Sequence, residues 1–244
     1  MKLLSGSTLA LALLLAGCGE GASDNVATGN NAAPIQVIAA PSGGDWEEMV
    51  SRTPEGGVRL GNPDAPVKLV EYGSLTCPAC RAFSEQGTQP LIDNYIKSGQ
   101  VSWEFRHLLI HGGPDLVMAR LANCQPDPAF FRTIEQLYEN QATIVESLDP
   151  QEQQQLQALA PEQQLVPLAR AMELDTFFAR RGMPGSRFEQ CLGDMNAAQQ
   201  LAEQTNRAFT EEGVTGTPTF FINGEKQQAA NWAELEPLLR GAIG

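Results

Sequence analysis

The feature that most constrains the fold is the segment Cys77-Pro78-Ala79-Cys80, which directly follows an apolar run at residues 67–72. That run starts after a proline and is rich in valine and leucine, which predicts a β-strand. Proline is favourable at the first position of a helix, because the N–H that it lacks would have no partner there. A helix is therefore predicted to begin at Cys77-Pro78 and to end near Lys97. With a second strand predicted at residues 101–109, the domain begins as a β–α–β unit.

Two cysteines with this spacing have a chemical consequence at a helix N-terminus. The partial positive charge and free N–H groups of the helix end stabilise a thiolate, and a thiolate is the species that attacks disulfides. This arrangement predicts Cys77 as the nucleophile and Cys80 as the more buried, resolving thiol of a redox pair. The motif alone leaves two alternatives open: half of a zinc site completed by His107 and His111, or a purely structural disulfide.

The rest of the chain separates into a helical block and a second mixed segment. Residues 114–194 have helical apolar periodicity, and a further helix is predicted at about 195–212. Gly213-Val214-Thr215-Gly216-Thr217-Pro218 interrupts the pattern. A strand at 219–222, an Asn223-Gly224 turn and a returning run at 225–229 predict a hairpin, and a closing helix is predicted at 232–243.

The N-terminus has the layout of a secretory signal peptide. Lys2 is followed by an apolar run at residues 3–16, which is shorter than the roughly 20 residues that span a bilayer. Leu15-Ala16-Gly17-Cys18 resembles the lipobox of bacterial lipoproteins, which implies removal of residues 1–17 and lipidation of Cys18. An ordinary cleaved signal with an incidental cysteine is the alternative.

Residues 18–56 are predicted as a flexible tether and lead-in to the domain. Their first part is rich in Gly, Ala, Ser, Asn and Pro, and such a stretch cannot bury enough apolar surface to offset its ordering entropy. The formal net charge of −13 argues against a nucleic-acid partner, because binding phosphates requires clustered lysine and arginine.

The sequence contains two motifs, first the stretch from Glu71 to Cys80 and later the loop from Gly213 to Phe220. Together and in this order, they resemble the motifs of the DsbA-like branch of the thioredoxin-fold thiol oxidoreductases. The resemblance covers roughly residues 57–244. It implies an α/β class, namely a thioredoxin fold at 57–112 and 195–244 with an inserted α-helical domain at 113–194.

The resemblance also implies roles for three further residues. Pro218 is expected to follow a cis peptide bond beside the cysteine pair, although an ordinary trans turn is the alternative. Thr217 is expected to offer its backbone to an incoming peptide by strand addition. Glu71 is expected to lie beneath the site and to exchange protons with Cys80; the alternative is a solvent-exposed strand acid.

Cys124 and Cys191 remain in the helical block once Cys77 and Cys80 are paired. Some family members have a second disulfide in that block, so a structural Cys124–Cys191 bond is expected. Two buried free thiols or a regulatory disulfide are the alternatives.

The expected function is oxidation of cysteine pairs in exported proteins, without a cofactor or metal. The partners would be unfolded or cysteine-containing exported chains and a membrane redox partner that resets the pair. The domain would lie in the periplasm of a bacterial cell envelope, with the lipid on Cys18 in the outer or the inner membrane. A disulfide isomerase, a thiol reductant of a pathway such as cytochrome c maturation, and a tethered binding module without enzymatic activity are the alternatives. Ala79 replaces a histidine common in strong oxidases, and Thr217 is shared with isomerases and reductants, so a less oxidising couple is expected.

Overall fold

The computed structural model describes residues 35–244. The predicted signal peptide (1–17), the lipidation site Cys18 and the first part of the tether lie outside the described residues. Within 35–244 the chain has one mixed sheet and ten α-helices, and no helix there combines the length and the apolarity needed to cross a membrane.

The sheet has six strands in the order β1-β2-β4-β3-β5-β6. The strands are β1 (Val50–Arg52), β2 (Val58–Gly61), β3 (Val67–Gly73), β4 (Val101–His107), β5 (Thr219–Ile222) and β6 (Glu225–Lys226). Strands β3 and β4 pair in parallel, and the other neighbouring strands pair antiparallel. The central strand β3 is mostly buried: Val67, Leu69 and Tyr72 are all at most 1% exposed, and Lys68 is its one exposed position.

Helices cover the sheet and form the insertion. They are α1 (Pro78–Leu91), α2 (Gly113–Asn123), α3 (Phe130–Glu139), α4 (Gln141–Glu146), α5 (Pro150–Gln157), α6 (Pro161–Ala171), α7 (Leu174–Ala179), α8 (Gly185–Gly193), α9 (Met195–Thr210) and α10 (Trp232–Ile243). Helix α1 connects the parallel strands β3 and β4 and continues as a π-helix at Ile92–Ile96. Helices α2 to α8 lie between β4 and α9 in the chain. The expected fold class, a thioredoxin fold with an inserted helical domain, is confirmed.

The N-terminal edge of the sheet differs from the sequence prediction. Strands β1 and β2 were not predicted, because β1 has three residues and β2 ends in the Gly61-Asn62-Pro63 turn signal. Residues placed in the predicted tether also contact the domain: the Ile38 N–H donates to Ser98 O at 2.8 Å, and the buried Trp46 indole donates to Ile38 O at 2.7 Å. The domain boundaries themselves stay a prediction.

Candidate active site

Cys77 and Cys80 lie at the N-terminus of α1. Cys77 is the N-cap residue and Pro78 the first helical residue, and the Cys77 N–H donates to Ser74 O at 3.2 Å. Cys77 is 7% exposed and Cys80 is fully buried. Both are free thiols, so the structure has the reduced form of the pair. Cys77 keeps a small exposed surface and Cys80 has none, as expected for a nucleophile and a resolving thiol.

The two thiols have opposite acidities. A hydrogen bond from the Cys80 thiol, assisted by the N–H groups of Cys80 and Ala79 and opposed by burial, lowers the pKa of Cys77 to about 5. Burial and the neighbouring Cys77 raise the pKa of Cys80 well above its ordinary value. At neutral pH Cys77 is therefore a thiolate, while Cys80 keeps its proton.

The loop before β5 brings Thr217 and Pro218 to the cysteine pair. The Thr217–Pro218 peptide bond is cis, and Cys77 Sγ lies 3.3 Å from Thr217 O, to which the thiol donates when it is protonated. The Thr217 hydroxyl is buried and has no hydrogen-bond partner among the described residues. The ordinary trans turn, which the sequence left open, does not occur here.

Glu71 lies on β3 with its carboxyl group inside the protein. It is 1% exposed, and the Trp103 indole N–H donates to its Oε2 at 3.1 Å. Burial raises the pKa of Glu71 to about 8, against a smaller lowering by the Trp103 hydrogen bond. Glu71 is thus not an exposed strand acid; its exchange of protons with Cys80 stays a proposal.

Side chains from the helical insertion hold the turn between β3 and α1. The Gln141 amide donates to Leu75 O at 2.9 Å and to Cys77 O at 3.0 Å, and the Tyr138 hydroxyl donates to Ser74 O at 3.3 Å. A Cβ at Gly73 would lie 3.1 Å from that hydroxyl and 2.5 Å from the ring of the buried Phe105, so glycine permits this close approach. These contacts were not predicted, because no local pattern in the sequence marks a pair of residues more than 60 positions apart.

The two histidines lie in different environments. His107 is buried against the rings of Phe105 and Phe130, and burial lowers its pKa to about 3. His111 is half exposed and its Nδ1 lies 2.6 Å from Thr76 Oγ1. Within residues 35–244, no group of three or more His, Cys, Asp and Glu side chains is placed to hold a metal ion.

Cys124 and Cys191 form a disulfide with a Cα–Cα distance of 6.1 Å. Cys124 caps the C-terminus of α2 and Cys191 lies in α8. The bond joins the first and last helices of the insertion and closes a loop across 67 positions of sequence.

Comparisons with known proteins identify the family and the fold. Residues 53–240 match a family model described as thioredoxin. A protein-disulfide isomerase from Novosphingobium aromaticivorans has a similar structure, with a TM-score of 0.71 and 29% identity, over 76% of this chain and 96% of that one. Wolbachia pipientis alpha-DsbA1 shares the fold, with a TM-score of 0.64 and 21% identity, over 82% of this chain and 96% of that one.

A putative protein-disulfide oxidoreductase from Rickettsia felis is 26% identical over 68% of this chain and 52% of its own length. The chain spans about half the length, or less, of the curated relatives that it matches. The family model covers well over half of the chain, and the similarity to the Wolbachia protein extends over most of both chains. The chain therefore belongs to the thioredoxin family.

Proposed function

We propose that the protein is an extracytoplasmic thiol–disulfide oxidoreductase that oxidises cysteine pairs of exported proteins through Cys77 and Cys80. The observation that carries the proposal is the opposite acidity of the two thiols at one helix N-terminus. A stable thiolate at Cys77 makes it a good leaving group, and a good leaving group favours release of an oxidised product.

The reaction begins with the oxidised Cys77–Cys80 pair. A substrate thiolate attacks Cys77 Sγ, the Cys77–Cys80 bond breaks, and its electron pair stays on Cys80 Sγ. Cys80 then takes a proton from the Glu71 carboxyl group, whose raised pKa of about 8 keeps it protonated at neutral pH. A second substrate thiolate attacks the mixed disulfide and releases Cys77 as a thiolate, which leaves the substrate oxidised and the pair reduced.

The loop at Thr217 supplies the docking surface for the substrate in this proposal. Pro218 has no N–H, and the Thr217 carbonyl oxygen lies 3.3 Å from Cys77 Sγ, the sulfur that the substrate attacks. An extended peptide that pairs with the Thr217 backbone would carry its cysteine to Cys77. Extended, unfolded chains fit this recognition better than folded ones.

The pKa of Cys77 supports a couple of intermediate oxidising strength. Its value of about 5 lies between the roughly 3.5 of DsbA and the roughly 7 of thioredoxin. We expect the reduction potential to lie between about −120 and −270 mV, the values of those two proteins. Isomerase or reductant activity is the second candidate, which is favoured by the similarity to the Novosphingobium protein-disulfide isomerase and by the residues Ala79 and Thr217.

The location and the remaining partners are part of the same proposal. The N-terminal sequence supports export and a lipid on Cys18, which would tether the domain to a membrane in the periplasm. A membrane redox partner would then reoxidise Cys77 and Cys80 after each turnover.

Oxidation of a reduced, unfolded test protein, with glutathione disulfide as terminal oxidant, tests the activity. The wild type should form disulfides catalytically, Cys77→Ser should be inactive, and Cys80→Ser should lose most of the activity, because it cannot form the Cys77–Cys80 disulfide that starts the reaction. A double variant, Cys124→Ala with Cys191→Ala, is the control for the other cysteines and should keep the activity. If Cys77→Ser remains active, the proposal is wrong.

A further inference from the structure

A buried carboxylate lies behind the turn that leads into Cys77. Asp115 is in the first turn of α2 and is 1% exposed. Its Oδ1 accepts hydrogen bonds from the Ser74 hydroxyl at 2.8 Å, the Thr76 hydroxyl at 2.9 Å and the Thr76 N–H at 3.1 Å. Its Oδ2 accepts from the His111 N–H at 2.8 Å. The carboxyl group therefore has four hydrogen-bond donors around it, three at Oδ1 and one at Oδ2, and needs no further partner.

These contacts favour one tautomer of His111. Thr76 Oγ1 lies 2.9 Å from Asp115 Oδ1 and 2.6 Å from His111 Nδ1. Because a carboxylate oxygen only accepts, whereas a ring nitrogen can also donate, the arrangement that satisfies both contacts directs the Thr76 hydroxyl hydrogen at Asp115 and has His111 Nδ1 donate to Thr76 Oγ1. In the neutral ring the unprotonated nitrogen is Nε2, on a side chain that is half exposed.

Burial of Asp115 is costly in this position. Among residues 35–244, no lysine or arginine forms an ion pair with it; its one charged neighbour of opposite sign would be a protonated His111, at 3.8 Å. An ionised carboxylate inside a protein is tolerated only where hydrogen bonds satisfy it. Three of the four donors belong to the turn that ends at Cys77. The turn therefore stabilises the charge of Asp115, and Asp115 in return holds the geometry of the turn.

We propose that Asp115 and His111 are positioning residues for the nucleophile: Asp115 fixes the Ser74–Thr76 turn, and His111 fixes the Thr76 hydroxyl by donating from Nδ1. Thr76 directly precedes Cys77, so its orientation sets how the chain enters α1. It thereby sets where Cys77 Sγ lies relative to the Ala79 and Cys80 N–H groups. The inference rests on the proposed function for its biological meaning, but its readout is a property of Cys77 alone.

The test is the pKa of Cys77 in the reduced full-length protein, from thiolate absorbance near 240 nm and from alkylation by iodoacetamide. In Asp115→Asn either orientation of the amide places an N–H against the N–H of Thr76 or His111, which loosens the turn. We expect the pKa of Cys77 to rise by about one unit, which slows alkylation at pH 5 about fivefold.

The direction in which the pKa of Cys77 changes in Asp115→Asn distinguishes a positioning role of Asp115 from a purely electrostatic one. If Asp115 acted on Cys77 only through its negative charge, its removal would lower the pKa of Cys77. A lowered or unchanged pKa in Asp115→Asn therefore overturns the proposal. Glu162→Gln removes the same charge from the exposed first turn of α6 and should leave Cys77 unchanged.

Two substitutions at His111 keep the proposal testable even if Asp115→Asn fails to fold. Asparagine places an N–H near the position of Nδ1, whereas alanine provides no donor. We expect His111→Ala to raise the pKa of Cys77 and His111→Asn to restore it. If asparagine behaves like alanine, the role of His111 is wrong.

An independent readout is the ¹⁵N spectrum of His111, which should show hydrogen on Nδ1 in the neutral ring. Hydrogen on Nε2 would overturn the donor assignment. Neither measurement uses a protein substrate, so failure of the wild type to oxidise proteins would count against the proposed function and not against this inference.

Discussion

The buried carboxyl group of Glu71 shows how one residue links stability to chemistry. Its charge is disfavoured because the surrounding protein replaces water, and the Trp103 indole is the one hydrogen-bond donor found to it among the described residues. A carboxyl group that stays protonated at neutral pH is a proton source for a buried thiolate. The same protonation makes the stability of the protein depend on pH.

We expect Glu71→Gln to remove this pH dependence. The folded-state pKa of about 8 lies above the ordinary value of 4.5, so between these values the folded protein holds a proton that the unfolded chain releases. Stability from this group is therefore lost as the pH rises towards 8. Glutamine does not ionise but still accepts from Trp103. The free energy of unfolding of the variant, relative to the wild type, should increase by up to about 1.4 kcal/mol per pH unit from pH 5 to 8.

Denaturant unfolding of the oxidised proteins at several pH values measures this difference. Glu162→Gln, at an exposed position, is the matched control and should follow the wild type. A difference between Glu71→Gln and the wild type that does not change with pH would contradict the raised pKa.

The lowered pKa of Cys77 predicts that the free energy of unfolding of the reduced protein changes with pH in the opposite direction. Its folded-state pKa of about 5 lies below the ordinary value of 9, so between these values the unfolded chain holds the extra proton. The stability of the reduced form, relative to the oxidised form, should increase by up to about 1.4 kcal/mol per pH unit from pH 5 to 8.

Unfolding curves with and without a mild reductant that leaves Cys124–Cys191 intact test this. Cys77→Ser should show no such increase, because it has neither the thiolate nor the Cys77–Cys80 bond. An equal slope in both redox states of the wild type would show that Cys77 is not a stabilised thiolate.

At the scale of elements, the Cys124–Cys191 disulfide crosslinks the inserted helices. The disulfide joins the end of α2 to α8, and the buried Arg120 of α2 donates to Cys191 O at 2.7 Å. Both contacts hold the last helix of the insertion against the first. Helix α2 also carries Asp115, so the bond supports the helix that contacts the active-site turn.

Replacing both cysteines, Cys124→Ala with Cys191→Ala, should lower the free energy of unfolding by about 4 kcal/mol, from the chain-entropy cost of a loop of this length. Guanidinium unfolding measures the loss, and peptide mapping of the wild type without reductant verifies the pairing. A loss below about 1 kcal/mol would show that the bond contributes little to the folded state.

The elements differ in how far the sequence predicts them. Strand β3, the start of α1 and the hairpin around Asn223-Gly224 follow from local patterns of valine, proline and glycine, and their positions were predicted closely. The predicted returning strand at 225–229 has only two residues, Glu225–Lys226. Short strands such as β1 owe their structure to a neighbouring strand, and a single segment does not encode that neighbour.

The same distinction applies within the site. The cysteine pair and the Thr217-Pro218 loop carry motifs, so sequence identified them. Asp115 and Gln141 contact the turn from positions about 40 and 65 residues away, and they have no motif. Only the packing of the insertion against the sheet brings them there.

At the scale of the whole molecule, the net charge of the protein and its proposed lipid tether together determine how it associates with a membrane. Removal of residues 1–17 would take away one positive charge and leave a net charge of −13 − 1 = −14, which repels the protein from anionic lipid headgroups over a distance of about 8 Å at physiological salt. Attachment would then depend on the lipid on Cys18 and not on the protein surface.

Cys18→Ser tests this attachment. In a bacterium that expresses the full chain, we expect the variant to lose incorporation of a labelled fatty acid and to move from the membrane fraction to the soluble fraction. A wild-type protein that incorporates no label would contradict the lipidation of Cys18. An exposed substitution such as Glu162→Gln should leave both readouts unchanged.

The contacts of Gln141 with Leu75 O and Cys77 O have a consequence for protein engineering and for divergence between relatives. The backbone on both sides of the turn into Cys77 is held by a side chain that lies outside the Cys77–Cys80 motif and outside the sheet, so we expect the reactivity of Cys77 to depend on it. Two proteins with the same four motif residues can therefore differ in redox behaviour when their inserted helices differ. Libraries that vary α2 and the α3–α4 junction, with the motif unchanged, are a direct way to obtain such variants.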